Sequence, residues 1–351
     1  MRLRITMAPL LALITCAIAL CMIIFPNATL DSSVRGLAIW WDVLFPALFP
    51  FFVISEMLLG FGIVHFVGTL LDPLMRPIFR IPGTGGFVVA ISFASGYPVG
   101  AKLTAQLWDQ KLVNREEGER LVAFTTTSDP IFLIGAVSVG FFQDARVAPI
   151  LALAHYGAGI LIGFLMRFHG ARSSSTKPIQ PATGASRESR IRLAIRAMHQ
   201  ARLRDGRDLG KLLSESLQSS LKLMMVVGGL VVFFSVILEL LTSAHVMNGM
   251  YSLIQSILGL FGMPPEMSVS IMNGIFEVTL GAKSAGTAGI DIPLVTKLAV
   301  AAFVLSWGGL SVHAQVASIL NATNIRYWPF FVARFSHGIL AMIFVFLFYK
   351  S

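Results

Sequence analysis

Residues 93–102 read FASGYPVGAK, and residues 275–283 read IFEVTLGAK. Both end in Gly-Ala-Lys, at an offset of 181 residues, and both interrupt stretches that are otherwise apolar. Proline removes a backbone donor and clashes with the preceding turn, glycine lowers the cost of unwinding, and a buried lysine is expensive in hydrocarbon. What such elements do in apolar runs is the question that decides the fold.

The surroundings are membrane-like. Of 351 residues, 55% are hydrophobic and 13% charged, a composition foreign to a soluble domain. Runs of roughly 20 apolar residues, enough to cross about 30 Å of hydrocarbon, occur near 5–25, 37–60, 86–107, 120–142, 147–168, 217–241, 267–288, 293–318 and 328–349. The stretches 62–80 and 246–262 are shorter and read as poor spans or interfacial segments. Spanning backbone must satisfy its own hydrogen bonds and no barrel-like alternation is visible, so the expected class is an all-α polytopic membrane protein. Cys16 and Cys21 both fall in the first run, too few for a disulfide framework or a metal cluster. That run is longer than a cleavable signal core and reads as an uncleaved first helix.

The net charge of +9 is concentrated in one place. Between Arg167 and Lys211 stand eleven Lys or Arg against Glu188, Asp205 and Asp208. A Ser/Thr/Pro-rich stretch, 171–187, is followed by RIRLAIRAMHQARLR, which sets Ile191, Ile195 and Met198 on one helical face among arginines. This is the pattern of a cytoplasmic loop with a basic helix on anionic headgroups, not of a nucleic-acid binder. With the N-terminus and this loop on one side, the segment between the first helix and the loop crosses an odd number of times. A second copy after the loop is then inverted.

Such a copy is visible. At the same offset of 181, VAFTTTSDPIFLIG (122–135) falls on FVLSWGGLSVHAQV (303–316), so that Ser128-Asp129-Pro130 lies over Gly309-Leu310-Ser311. The expected division is an N-terminal helix over 1–30, a first repeat over 35–168, a basic linker over 169–211 and a second repeat over 212–351. Helix interruptions are expected at mid-membrane around Gly96, Pro98, Gly100, Pro130, Gly281, Gly308 and Gly309. Paired interruptions in inverted halves point to a secondary transporter's binding site.

Lys102, Asp129, Glu277 and Lys283 lie within apolar spans, where ionisable groups mark a pathway or a pair; Lys102 with Glu277 and Asp129 with Lys283 are the pairs to weigh. Single Ser and Thr side chains in such helices commonly bond back to a carbonyl. Glu56, Glu239, His155, His313 and Arg334 fit helix ends or local hydrogen bonds and are set aside. Enzyme signatures are missing: no nucleotide-binding loop, serine elbow or metal-ligating helix is present, and no cofactor is called for.

The run FPALFPFFVISEMLLG, then GYPVGAK, TTTSDPIFLIGAV, FEVTLGAK and SWGGLSVHAQV, resembles the YlbJ family of sporulation integral membrane proteins, also called stage V sporulation protein V. That family belongs to the wider group with nucleoside-transporter and ferrous-iron-transporter Gate domains. The resemblance covers about 35–349 and implies two Gate-like repeats, the outer forespore membrane, and movement of dipicolinic acid from mother cell to forespore. On that implication Lys102 and Lys283 each hold one carboxylate, Tyr97 and Trp307 flank the ring, and Ser95, Thr126, Thr127, Ser306 and Ser311 donate hydrogen bonds. Ser128, Asp129 and Glu277 complete the expected site. Two rivals stay open: a nucleoside or nucleobase carrier relying on Asn273, Glu277 and Gln315, and a non-transporting scaffold that uses the basic loop as its partner surface. Homo-oligomerisation and sporulation membrane partners are left open by the sequence.

Overall fold

The computed structural model describes residues 2–172, 176 and 189–349, so most of the Ser/Thr/Pro-rich stretch expected over 171–187 lies outside the described residues. The described residues are helical throughout, without a strand. After α1 (Arg2–Ile24) the chain bends by 102° into a long first-half helix made of α2 (Pro26–Ala38), a π-helical stretch Ile39–Leu44 and α3 (Phe45–Gly60). Pro46 has no N–H to give the Asp42 carbonyl, which accounts for the widened turns just before it. The chain then turns by 83° into α4 (Ile63–Phe79). There follow α5 (Thr84–Ser95), α6 (Val99–Asp109), α7 (Arg115–Thr125), a π-helical Phe132–Phe141 and α8 (Ala148–Met166).

The second half repeats this order. A single long α10 (Leu209–Ser243) stands for α2 and α3, and α11 (Met247–Leu260) for α4. Next come α12 (Met267–Phe276), α13 (Val278–Gly286), α14 (Leu294–Trp307), α15 (Gly309–Leu320) and α16 (Tyr327–Phe348). Between the halves, α9 (Arg190–Asp205) packs along α4, with Arg202 over the Phe61 ring at 5.6 Å. The turn into α10 is tied by Arg207, which bridges Asp205 at 2.6 Å and Glu215 at 2.8 Å and holds the Asp205 carboxyl below its usual range.

The long helices of the two halves run antiparallel. Arg35 meets Glu239 at 2.7 Å, the Trp40 indole N–H donates to the Met224 carbonyl at 3.0 Å, and Gly60 lies against Leu212. As one number rises the other falls, so this element is inverted between the halves.

One element differs from the sequence reading. Apolar runs 86–107 and 267–288 look long enough to span, but each folds back as a re-entrant hairpin. In the first, Gly100 packs against Ser92, and the far ends Thr84 and Lys111 line one cavity. In the second, the Ser270 hydroxyl donates to the Ser284 hydroxyl at 3.1 Å and Gly281 packs on Gly274. The run 120–142 is likewise split, into α7 and the π-helical stretch. Among the described residues, four unbroken or gently jointed helices are therefore long and apolar enough to cross, Ala145–Met166, Leu209–Ser243, Leu294–Leu320 and Tyr327–Phe348, with α1–α2 and α3–α4 as bent pairs. Gly100 and Gly281, expected at breaks, lie inside α6 and α13 and serve close helix packing instead.

Candidate functional site

The hairpin tips and the joints of the broken helices come together. Tip one is Gly96-Tyr97-Pro98, with Gly96 at φ +75°; a Cβ there would sit 2.9 Å from the Asp129 carboxylate and 3.0 Å from its backbone nitrogen. Tip two is Glu277, and the neighbouring joint is Gly309 at φ +77°, where a Cβ would lie 3.0 Å from both the Phe276 carbonyl and the Val278 nitrogen. In each half the hairpin tip is thus nested into the joint of its own broken helix, α7 to Phe132–Phe141 or α14 to α15. Only glycine combines left-handed backbone with that clearance.

Carboxylates cap two of the freed helix starts. Asp129 Oδ1 accepts from the Phe132 N–H at 2.8 Å, and Glu277 Oε2 accepts from the Leu280 N–H at 2.8 Å. Negative charge at a helix N-terminus is favourable, which answers part of the cost of keeping these groups inside the protein. Both are buried and neither has an ion-pair partner among the described residues.

Between the tips lies a narrow cavity of about 30 Å³, lined by Tyr97, Asp129, Glu277, Thr279, Ser311 and Gln315 and closed by Leu44, Phe132, Val227 and Val231. Leu44 and Val227 come from the two antiparallel long helices, so the cavity straddles the junction of the halves. Room for about one water is far below the roughly 300–1,000 Å³ of ordinary ligand pockets, so the cavity in this state is too narrow for an organic substrate.

Other predicted residues stand behind this cavity. Ser128 donates its N–H to His155 Nε2 at 3.0 Å, and its carbonyl accepts from the Tyr156 hydroxyl at 3.0 Å. With Nε2 accepting, His155 carries its proton on Nδ1, which faces the Ser306 hydroxyl at 2.8 Å. Thr126 bonds back to the Val122 carbonyl at 2.9 Å, while Thr127 and Ser95 are buried with hydroxyls that lack a partner among the described residues. The Trp307 indole donates to the Ile275 carbonyl at 3.2 Å and its ring packs on His313, pinning the second hairpin to α14. Gly308, at φ +87°, ends α14, and Pro98 and Pro130 sit at the first tip and the first joint.

The two lysines lie elsewhere. Lys102 pairs with Glu56 and donates to the Ser219 hydroxyl at 3.0 Å, and Gln106 donates to the same carboxylate at 3.1 Å. Lys283 is exposed in a second cavity shared with Arg35 and Glu239. Neither the Lys102–Glu277 nor the Asp129–Lys283 pair is formed, because each lysine sits on its hairpin's second arm rather than at the tip.

Sequence reasoning passed over two further groups. Arg334 is wholly buried without a carboxylate; it donates to the Ser306 carbonyl and, at 2.8 Å, to His337 Nδ1, which leaves His337 Nε2–H to donate to the His155 carbonyl at 2.7 Å. The His155 and His337 rings stack at 5.1 Å where α8 meets α16. Their separation of 182 residues, close to the repeat offset, was the available signal.

Comparison with known proteins places these features. The Gate family model, described as nucleoside recognition, matches residues 42–144 and 224–323, which are the long helix, hairpin and broken helix of each half. The sporulation integral membrane protein YlbJ of Bacillus subtilis (strain 168) is 43% identical over 328 residues, 93% of this chain and 78% of that one. An uncharacterized protein of Alkalihalophilus pseudofirmus is 26% identical over 138 residues, 33% of this chain and 30% of that one. No solved structure matches. An integral membrane protein with two Gate regions and this extent of similarity belongs to the YlbJ family of sporulation integral membrane proteins.

Proposed function

We propose that this chain is a secondary transporter of a small organic acid, dipicolinic acid, carried from mother cell to forespore across the outer forespore membrane. The observation that carries the transporter reading is the meeting of two re-entrant tips and two helix joints at one cavity between antiparallel halves. Irregular backbone is tolerated at membrane depth where it lines a substrate cavity, and discontinuous helices in paired repeats are the usual construction of a transport site. The cavity must widen to hold a pyridine ring, and the tips, seated on glycine joints, are the parts placed to withdraw. The cargo is the one that the family resemblance implies, and the relative's name adds only a sporulation role.

The lining sets a condition on that cargo. Asp129 and Glu277 bring two carboxylates and no lysine or arginine lines the cavity, so a dicarboxylate passes there with its charge compensated by protons or a cation. The same lining of carboxylates, amide and hydroxyls favours a second reading, a neutral nucleoside, which is also the description of the Gate model. On either reading α9 lies on anionic headgroups, with Ile191 and Ile195 exposed beside Arg192 and Arg196.

Uptake of labelled dipicolinate and labelled uridine into proteoliposomes separates the two. The expected result is dipicolinate uptake that is lost in Glu277→Gln at normal protein level. Uridine uptake without dipicolinate uptake selects the nucleoside reading, and uptake of neither leaves the scaffold.

A further inference from the structure

The two halves contain an internal comparison. In the first, Lys102 on the hairpin is matched by Glu56 on the long helix, and their side chains are only 17% and 13% exposed. The corresponding pair in the second half is Lys283 and Glu239, at offsets of 181 and 183. Here Arg35 of α2 has taken the carboxylate at 2.7 Å. Lys283 has no carboxylate partner among the described residues and lines an open cavity of about 450 Å³ between α2, α10, α11 and the second hairpin. That volume is within the range of ligand sites, unlike the narrow central cavity.

A second, independent feature of this cavity points to a ligand. Ser235, 6% exposed, lines it, and its hydroxyl, packed towards Gly36, has no hydrogen-bond partner among the described residues. A buried hydroxyl without a partner costs free energy that a bound acceptor recovers. Tyr251 and Asn273 also face the cavity, and Arg35 and Lys283 against Glu239 leave it net positive. An ammonium, an idle hydroxyl donor, an amide and an aromatic ring make a set suited to an aromatic carboxylate.

We propose that this cavity is a carboxylate-docking vestibule, in which the Lys283 ammonium holds one carboxylate of a small organic acid beside Tyr251 and the Ser235 hydroxyl turns from its seat by Gly36 to donate to it. The role in transport rests on the organic-acid reading above. The vestibule lies at the end of the molecule away from the linker, so it receives the acid as an anion after the central cavity has passed it in charge-compensated form. Ion-pair attraction at the vestibule weakens with salt.

The test uses the full chain in lipid nanodiscs and reads reductive methylation of each lysine by peptide mass spectrometry. At about ten times its dissociation constant, dipicolinate occupancy should slow methylation of Lys283 roughly tenfold, leaving the exposed Lys211 unchanged. Neutral pyridine should give no protection. Absence of slowing at Lys283, equal slowing at Lys211, or equal protection by pyridine each overturns the vestibule. In proteoliposomes offered dipicolinate from the face away from the linker, Lys283→Gln should raise the half-saturating concentration several-fold with maximal rate retained, and Lys283→Arg should restore it. A wild-type half-saturation in Lys283→Gln overturns the vestibule and leaves the transporter standing. Failure of the unsubstituted chain to move dipicolinate removes the transport reading, while lysine protection still decides the vestibule.

Discussion

At the scale of single residues, the glycines of the joints and the capping carboxylates shape the candidate site. Gly309 has left-handed backbone and touches the second hairpin tip through three atoms, the Phe276 carbonyl, the Val278 nitrogen and the Glu277 Cα, at 3.0–3.1 Å from a would-be Cβ. Gly309→Ala adds a left-handed penalty of about 1–2 kcal/mol to that crowding and should push Glu277 from its place. The expected outcome is a lower melting temperature in nanodiscs together with lost uptake. A Cβ on Gly229 of α10 would meet nothing within 4 Å beyond its own helix, and Gly229→Ala should leave both unchanged. Equal behaviour of the two variants would remove the nested tip from the mechanism. The lysines teach a different lesson. Their apolar neighbours in sequence mark them as unusual, yet the partner of Lys102 lies 46 residues away on a helix that packing brings alongside.

At the scale of elements, the hairpins are the main departure from a reading by hydropathy. A straight helix over 267–288 would hold residues 270 and 284 about 21 Å apart at 1.5 Å per residue. The fold puts their hydroxyls at 3.1 Å. With Cys16 and Cys21 replaced by Ala, Ser270→Cys with Ser284→Cys should close a disulfide under mild oxidation, read as loss of maleimide labelling without dimer formation. Full labelling after oxidation would restore the straight span. The reason for the fold-back is local: Glu277 leaves helical geometry at φ −145° and ψ 125°, and its carboxylate then caps the next helix. The Gly274–Gly281 contact lets the two arms close on each other, as small residues do between membrane helices.

At the scale of the whole molecule, the long helices oppose each other, and the hairpins enter from opposite ends. The first opens where α7 begins and the linker starts: Thr176 shares the cavity at its base with Lys111. The base of the second is lined by Glu266 and Asp291. Single cysteines at Arg192 and Asp291 should therefore label from opposite faces of sealed vesicles, Arg192 from the cytoplasmic face. Labelling from one face would contradict inverted halves. Glu119 of α7 ties this end together, accepting from Arg326 at 2.7 Å and facing His169 at 2.6 Å, so the linker's start and the second half are anchored to one buried carboxylate.

The sequence by itself determined the class, the two repeats and several of the places where helices stop, those at Gly96, Pro98, Pro130 and Gly308. Those features follow from composition, from the cost of proline and glycine in a helix, and from a repeated offset, all of which are local or internal to the chain. Asp129 and Glu277 could be named from it because ionisable groups are costly in apolar runs, whereas Tyr97 and Ser311 are implied by the family resemblance. Only the tertiary structure decided that two of the runs turn back, that Lys102 belongs to Glu56, and that Lys283 faces an open cavity with Arg35. Hydropathy records that a segment avoids water, whether lipid or protein surrounds it, and says nothing of the direction in which the chain leaves a break. Ion pairs are fixed by which helices pack, and that is settled by the closure of both halves around one another.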